Sequence, residues 1–311
     1  MTRLLLCLLV ALTLPSAGAF ARTLEVGKGK EFQLPSEAIK VARDGDKIAI
    51  YPGEYFDCAI VYQKGLVIEG IGKAEDVVMT DKSCQGKALL VLAGPNITVR
   101  NLTLTRSRVP DQNGAGIRME APDLTIEHVR FINNQNGILS GLQGGSLIVR
   151  DSLFERNGAC EQSCAHGLYV GQLDLLRVER TRFYETKRAH HLKSNAKRTE
   201  VFDCDIEDGP DGTASYEIDI PSGGDLIVRN TTMVKGPHAE NHKYAITIAE
   251  DGQGQPTHQI LVENSSFRNE GDWETVFVNN VTATEAILRN VKLSGAVQAL
   301  RGDGRIEPAP Q

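Results

Sequence analysis

The chain has 311 residues, with 34 lysines and arginines against 40 aspartates and glutamates and a formal net charge of -6. That balance excludes a general nucleic-acid-binding surface, which needs clustered positive charge. Beyond the first 21 residues no apolar stretch is long enough to cross a bilayer, and no Cys-x-x-Cys pair supports a zinc site.

Residues 1–21 read as a secretory signal. Arg3 supplies the charge, Leu4 to Leu14 the apolar core, and Ala17-Gly18-Ala19 or Ala19-Phe20-Ala21 the small-residue cleavage site. The mature protein is therefore expected to be secreted or periplasmic, with no membrane insertion after cleavage. Ser36 to Ala42 starts with a capping residue and has the apolar spacing of one short helix. Asp44-Gly45-Asp46 then turns the chain into a strand from Lys47 to Tyr55. Such a helix caps the open end of a solenoid and protects it from edge pairing.

From Val99 a six-residue phrase recurs: VRNLTL, then IEHVRF at Ile126, VRDSLF at Val149, VERTRF at Val178, VFDCDI at Val201, VRNTTM at Val228, VENSSF at Val262 and LRNVKL at Leu288. A second phrase follows most copies: GIRM at Gly116, GILS at Gly137, GLYV at Gly167, HLKS at His191, EIDI at Glu217 and AITI at Ala245. Irregular repeats of this length, with strand-like alternation and no helical period, specify an all-β solenoid of the parallel β-helix type. The third phrase position (Asn101, His128, Asp151, Arg180, Asp203, Asn230, Asn264, Asn290) is predicted to be a left-handed turn. The fourth (Leu102, Val129, Ser152, Thr181, Cys204, Thr231, Ser265, Val291) is small and predicted to point inward. Insertions at Arg106–Gly114, Gly158–Ala165 and Lys235–Lys243 fall where loops can wall a groove. The expected organisation is one β-helix domain over 22–300 and a loose tail over 301–311.

Cleavage would remove Cys7 and leave an odd number of thiols. Cys160 and Cys164 share one insertion and are candidates for a disulfide, as are Cys58 and Cys84, about one coil apart; Cys204 reads as a buried hydrophobe. His238 and His242 are spaced for a metal only on a helix, and Pro237 argues against one.

Aligning the second phrases on Leu168, Leu192, Ile218 and Ile246 gives three ladders predicted to face outward. One is Gly167, His191, Glu217, Ala245. The next is Tyr169, Lys193, Asp219, Thr247, with Arg118 two coils before Tyr169. The third is His166, His190, Tyr216, Tyr244. Solvated sheets often carry Lys, Glu and Asp, and pairs such as Lys193 with Asp219 suit mere structure. That account leaves the histidines and tyrosines of the same coils unexplained, so the face is a candidate functional site.

The whole mature chain resembles the right-handed parallel β-helix, or pectate-lyase-like, superfamily. The resemblance includes its opening, where a V-G-x-G strand (Val26 to Gly29), a short helix, the D-G-D turn and the P-G-x-Y strand follow in order. It implies the right-handed solenoid but not one reaction, since the superfamily includes lyases, hydrolases, epimerases and non-enzymatic members. Within it, HLKSNA at His191 resembles the strand around the lysine base of alginate and chondroitin lyases, with Lys193 at the matching place. Those lyases bring an arginine from the next coil; this chain has Glu217 and Asp219.

The leading expectation is a lyase or epimerase acting on a uronate-containing polysaccharide. Lys193 or His191 would abstract the C5 proton, and Tyr169 or Tyr216 would protonate the leaving oxygen, with His166 and His190 beside them. Arg118, Glu217 and Asp219 would bind substrate, the two carboxylates through Ca²⁺. Two alternatives stand beside it: an inverting glycoside hydrolase using Glu217 and Asp219, and a non-catalytic glycan-binding or envelope protein. Oligomeric state is not legible.

Overall fold

A computed structural model describes residues 21–161 and 163–309; the predicted leader lies outside the described residues apart from Ala21. Each coil of the chain lays down one strand in each of three long parallel sheets. The first sheet has 12 strands, from Thr23–Val26 to Gly304–Glu307. The second has 10, from Gly53–Tyr55 to Lys292–Ser294, and the third has 10, from Ala59–Val61 to Val297–Arg301. No helix among the described residues is long and apolar enough to cross a membrane.

The repeat explains the corner between the first two sheets. All eight residues at the third phrase position have positive φ, between 44° at Arg180 and 56° at Asn101. Asn and Asp tolerate this backbone because their side chains bond locally. The residue after each turn points inward, and Ser152, Thr181, Thr231 and Ser265 return their hydroxyls to the carbonyl two residues back. Cys204 belongs to this ladder. Burial raises its thiol pKa to about 12, so it is inert. Disulfides join Cys58 to Cys84, whose Cα atoms are 5.5 Å apart, and Cys160 to Cys164.

Two details differ from expectation at the start of the chain. The helix runs Pro35–Val41, and its N-cap is Leu34 rather than Ser36. Pro35 has no N–H to leave unsatisfied, and the Glu37 carboxylate accepts from the Gln33 and Leu34 backbones instead. The predicted strand from Lys47 to Tyr55 divides into Lys47–Ile50 and Gly53–Tyr55, because the chain turns from the first sheet to the second at Tyr51-Pro52. At the other end, part of the expected tail is structured: Gly304–Glu307 pairs with Ala286–Arg289.

Inside, Phe131, Phe154 and Phe183 stack with centroids 4.6 Å apart at both steps. A Cβ on Gly137 would come within 2.6 Å of the Phe154 ring and 2.4 Å of the Gly167 carbonyl. Gly137→Ala is therefore expected to destabilise by about 1–3 kcal/mol, read as a lower thermal midpoint; an unchanged midpoint would show that the coil can give way.

Outside, the first sheet carries a ladder of charge. Glu69, Arg100, Glu127, Arg150 and Glu179 pair in register along successive coils. The sequence of residues continues with Phe202, Arg229, Glu263, Arg289 and Glu307. Ion pairs run along it at 3.0 Å (Arg100–Glu69), 3.0 Å (Arg150–Glu179), 3.1 Å (Arg229–Glu263) and 2.6 Å (Arg289–Glu307). Phe202 is its one uncharged rung, with Arg177 and Arg229 each 5.9 Å from its ring centre.

Candidate active site

The third sheet carries the candidate site, and its register is the predicted one. Leu168, Leu192, Ile218 and Ile246 are partners along successive coils, and so are Tyr169, Lys193, Asp219 and Thr247. Arg118 pairs with Leu139 and Leu139 with Tyr169, two coils away as expected. The His166 ladder stacks on the same face: ring centroids are 4.8 Å apart for His166–His190, 4.7 Å for His190–Tyr216 and 6.3 Å for Tyr216–Tyr244.

One predicted ladder faces the other way. His191 and Glu217 are fully buried. Gly116 and Gly137, at their place in earlier coils, face the interior rings of Phe131 and Phe154, and Phe277, next after Ala245, stacks on the core ring of Phe267 at 5.1 Å. Strict alternation fails because the chain bends into this sheet. His191 and Leu192 both point in, so the exterior positions are His190 and Lys193. His191 Nε2 donates to the Asp208 carboxylate at 3.1 Å, and Glu217 lies 3.4 Å from Lys235, with all four side chains at zero exposure. These two residues are corrections: neither reaches a substrate on the outer face.

What remains outside forms a connected unit. Asp219 Oδ2 lies 3.2 Å from Lys193 Nζ and 3.3 Å from His190 Nε2. Burial drives the Asp219 pKa up to about 6, against the pull of Lys193, and Asp251 and Glu250 raise it further. Burial lowers His166 to about 3 and His190 well below the usual imidazole range, with Lys193 acting in the same direction on both. Both rings are thus neutral at ordinary pH. The backbone N–H of His190 donates to His166 Nδ1 at 3.2 Å, which places the His166 proton on Nε2. Lys193 stands 5.7 Å from the Tyr169 ring centre, and His166 meets that ring edge-on at 5.1 Å. Tyr216 donates its O–H to Glu250 at 2.9 Å, and burial together with that carboxylate raises its pKa.

Beside this unit lies a groove of about 500 Å³ lined by Arg118, Leu139, Tyr169, Gln172, Asn195 and Ser222, among others. Two of its polar groups, Arg118 Nε and Asn195 Oδ1, are buried without a hydrogen-bond partner, and Arg118 Nε comes only within 3.8 Å of Glu120. Buried polar atoms are normally satisfied, so these two favour a ligand. On the other side the insertions are tied together. Gln112 exchanges two 2.9 Å hydrogen bonds with Glu161, and Ser163 donates to the Asp111 carbonyl at 2.8 Å. His242 lies flat on Trp273 at 3.5 Å, a stacking contact in the place of the metal role weighed for it.

The residues do not fit the calcium site expected of Glu217 and Asp219, since their side chains lie on opposite sides of the strand. Among the described residues no group of three or more His, Cys, Asp or Glu side chains converges to hold an ion. The same opposition removes the carboxylate pair needed by the hydrolase reading. Sequence reasoning missed Asn195, Glu250, Asp208 and Lys235. Asn195 stood in the quoted HLKSNA strand, whereas the others enter from loops and strand ends with no periodic signature.

A polar groove on the outer sheet of a parallel solenoid defines the class. The profile of the family described as right handed beta helix region matches residues 64–233, more than half of the chain, and the protein belongs to that family. No curated protein matches the sequence itself. Among solved structures it is similar to an alginate lyase from Paenibacillus sp., at 17% identity and TM-score 0.61, covering 93% of this chain and 98% of that one. It is also similar to an alpha-1,3-glucanase catalytic unit from Streptomyces thermodiastaticus, at 15% identity and TM-score 0.50, covering 94% and 68%. At these identities the likeness is one of fold.

Proposed function

We propose that the protein is an exported polysaccharide lyase, or an epimerase sharing the same proton abstraction, acting on a uronate-containing glycan. The observation that supports this most is the placement of Tyr169 and Lys193 on neighbouring coils beside a groove whose buried Arg118 and Asn195 atoms lack partners. Similarity in fold to an alginate lyase agrees with the reading.

In this reading Arg118 binds a uronate carboxylate in the groove, as a guanidinium does through paired N–H donors. Lys193 takes the C5 proton on its side-chain nitrogen. The electron pair released forms the C4–C5 double bond, the C4–O4 bond breaks, and Tyr169 gives O4 its proton. Asp219, beside Nζ, stabilises the ammonium as it forms and fixes its position, with His190 Nε2 3.3 Å from the same carboxylate. His191 cannot serve as base from the interior, and the Tyr216 proton is committed to Glu250. An epimerase would return the proton to the opposite face of C5 with no bond to O4 broken.

The test is incubation with a panel of acidic and neutral polysaccharides, with and without chelator. Unsaturated product absorbing in the ultraviolet, insensitive to chelator, is the expected result for the lyase, and inversion at C5 without chain shortening for the epimerase. New reducing ends without unsaturation, or retention on a glycan column with no product, would overturn both.

A further inference from the structure

We propose that the C-terminal end of the solenoid is a two-fold interface between two copies of this chain, in which Gly304–Glu307 pairs antiparallel with the same strand of the partner about Ile306. The inward column of the first sheet runs Val99, Ile126, Val149, Val178, Val201, Val228, Val262 and Leu288, all at zero exposure. Its last member, Ile306, is 58% exposed. Val291, Leu293, Val297 and Leu300 reach the core there but are only partly buried. The helix Pro35–Val41 packs on the first coils, and no described residue covers the opposite end. The last strand of each sheet has a neighbour on one side only. Such an edge is a template for another strand.

The sequence of that edge selects its occupant. In antiparallel pairing about Ile306, Arg305 faces the partner's Glu307, Glu307 faces the partner's Arg305, and the two isoleucines meet. Arg305 and Glu307 lie in the two outward columns of the sheet, beside Ile287 and Arg289, so the charges stay at the surface while Ile306 continues the core. This self-complementarity is what an isologous interface requires, and opposite charges directly across a strand pair favour it where like charges oppose it.

Light scattering on the eluting peak of the intact protein should give twice the monomer mass. Arg305→Glu and Ile306→Asp should each shift the peak to monomer with an unchanged circular dichroism spectrum, and Arg305→Glu combined with Glu307→Arg should restore the dimer. Directly opposed residues in an antiparallel pair have Cα atoms about 4.5–5.5 Å apart, within disulfide reach. Ile306→Cys should therefore give a covalent dimer on mild oxidation even if a charge variant misfolds. A monomeric wild type at all concentrations, or a dimer that none of these variants alters and Ile306→Cys does not crosslink, would overturn the interface.

Discussion

Lys193→Ala is expected to lower turnover on the active uronate glycan by roughly 10²–10⁴-fold, the usual contribution of a positioned proton-transfer group. Tyr169→Phe should fall by a similar factor, because it removes the O–H while keeping the ring against which His166 and Lys193 stand. Tyr169→Phe keeps the ring, so its thermal midpoint should hardly change, whereas Lys193→Ala also takes the cation from the buried Asp219 and should lower the midpoint, least at acid pH where Asp219 is protonated. The companion change Asp219→Asn tests the link between them. Asp219 titrates near 6 and is ionised above that pH, so wild-type activity should fall as the pH drops through 6. In Asp219→Asn that acidic limb should disappear and the plateau rate should be lower throughout. Full activity of Lys193→Ala would remove the proposed base, and an unaltered acidic limb in Asp219→Asn would remove its partner.

Lys235→Met is expected to be the most damaging single change to the fold, at roughly 3–5 kcal/mol, because it strips the cation from a buried cluster and leaves its carboxylates unbalanced. Lys235 lies 3.4 Å from Glu217 and donates to the Ser215 carbonyl at 2.8 Å. Asp208 is held below its usual range despite the upward push of burial, through the His191 hydrogen bond, the charges of His191 and Lys235 and the Gly236 backbone N–H. Glu217 goes the other way: burial raises it from 4.5 to about 7, only partly offset by Lys235. The folded state therefore holds the Glu217 proton more tightly than the unfolded chain does. Its contribution to stability is complete below the unfolded value and is lost as pH rises through about 7. Glu217→Gln should remove a pH-dependent difference on the order of 3 kcal/mol between acid and neutral solution. Thermal midpoints of wild type, Glu217→Gln and Lys235→Met from acid to mildly alkaline pH check both statements. A Lys235→Met midpoint equal to wild type in alkaline buffer would show that the cluster contributes nothing.

Most of the architecture was legible because it is periodic. The turn ladder could be read from Asn101 to Asn290 since one backbone requirement recurs at each coil, and the third-sheet register followed from a line of leucines and isoleucines. The same periodicity misled at His191 and Glu217. Alternation assumes a straight strand, and the entry bend gives two successive interior positions, which glycine in earlier coils had already signalled. Where Gly116 and Gly137 leave room for phenylalanine rings, His191 and Glu217 instead bring a charged cluster inside. Its other members, Asp208 and Lys235, come from the ends of second-sheet strands, and nothing along the chain connects them to the HLKS and EIDI phrases.

The uncharged rung at Phe202 bears on how the solenoid could change length. Dropping the coil of Arg100 would set Glu69 on Glu127, and dropping that of Glu127 would set arginine on arginine. Excision of the coil that begins at Arg198 is different: it brings Glu179 directly onto Arg229, and the attraction continues without a fault. That same coil carries Asp208, Glu217 and Asp219, so the segment most easily spared by the outer ladder is one the proposed chemistry cannot lose.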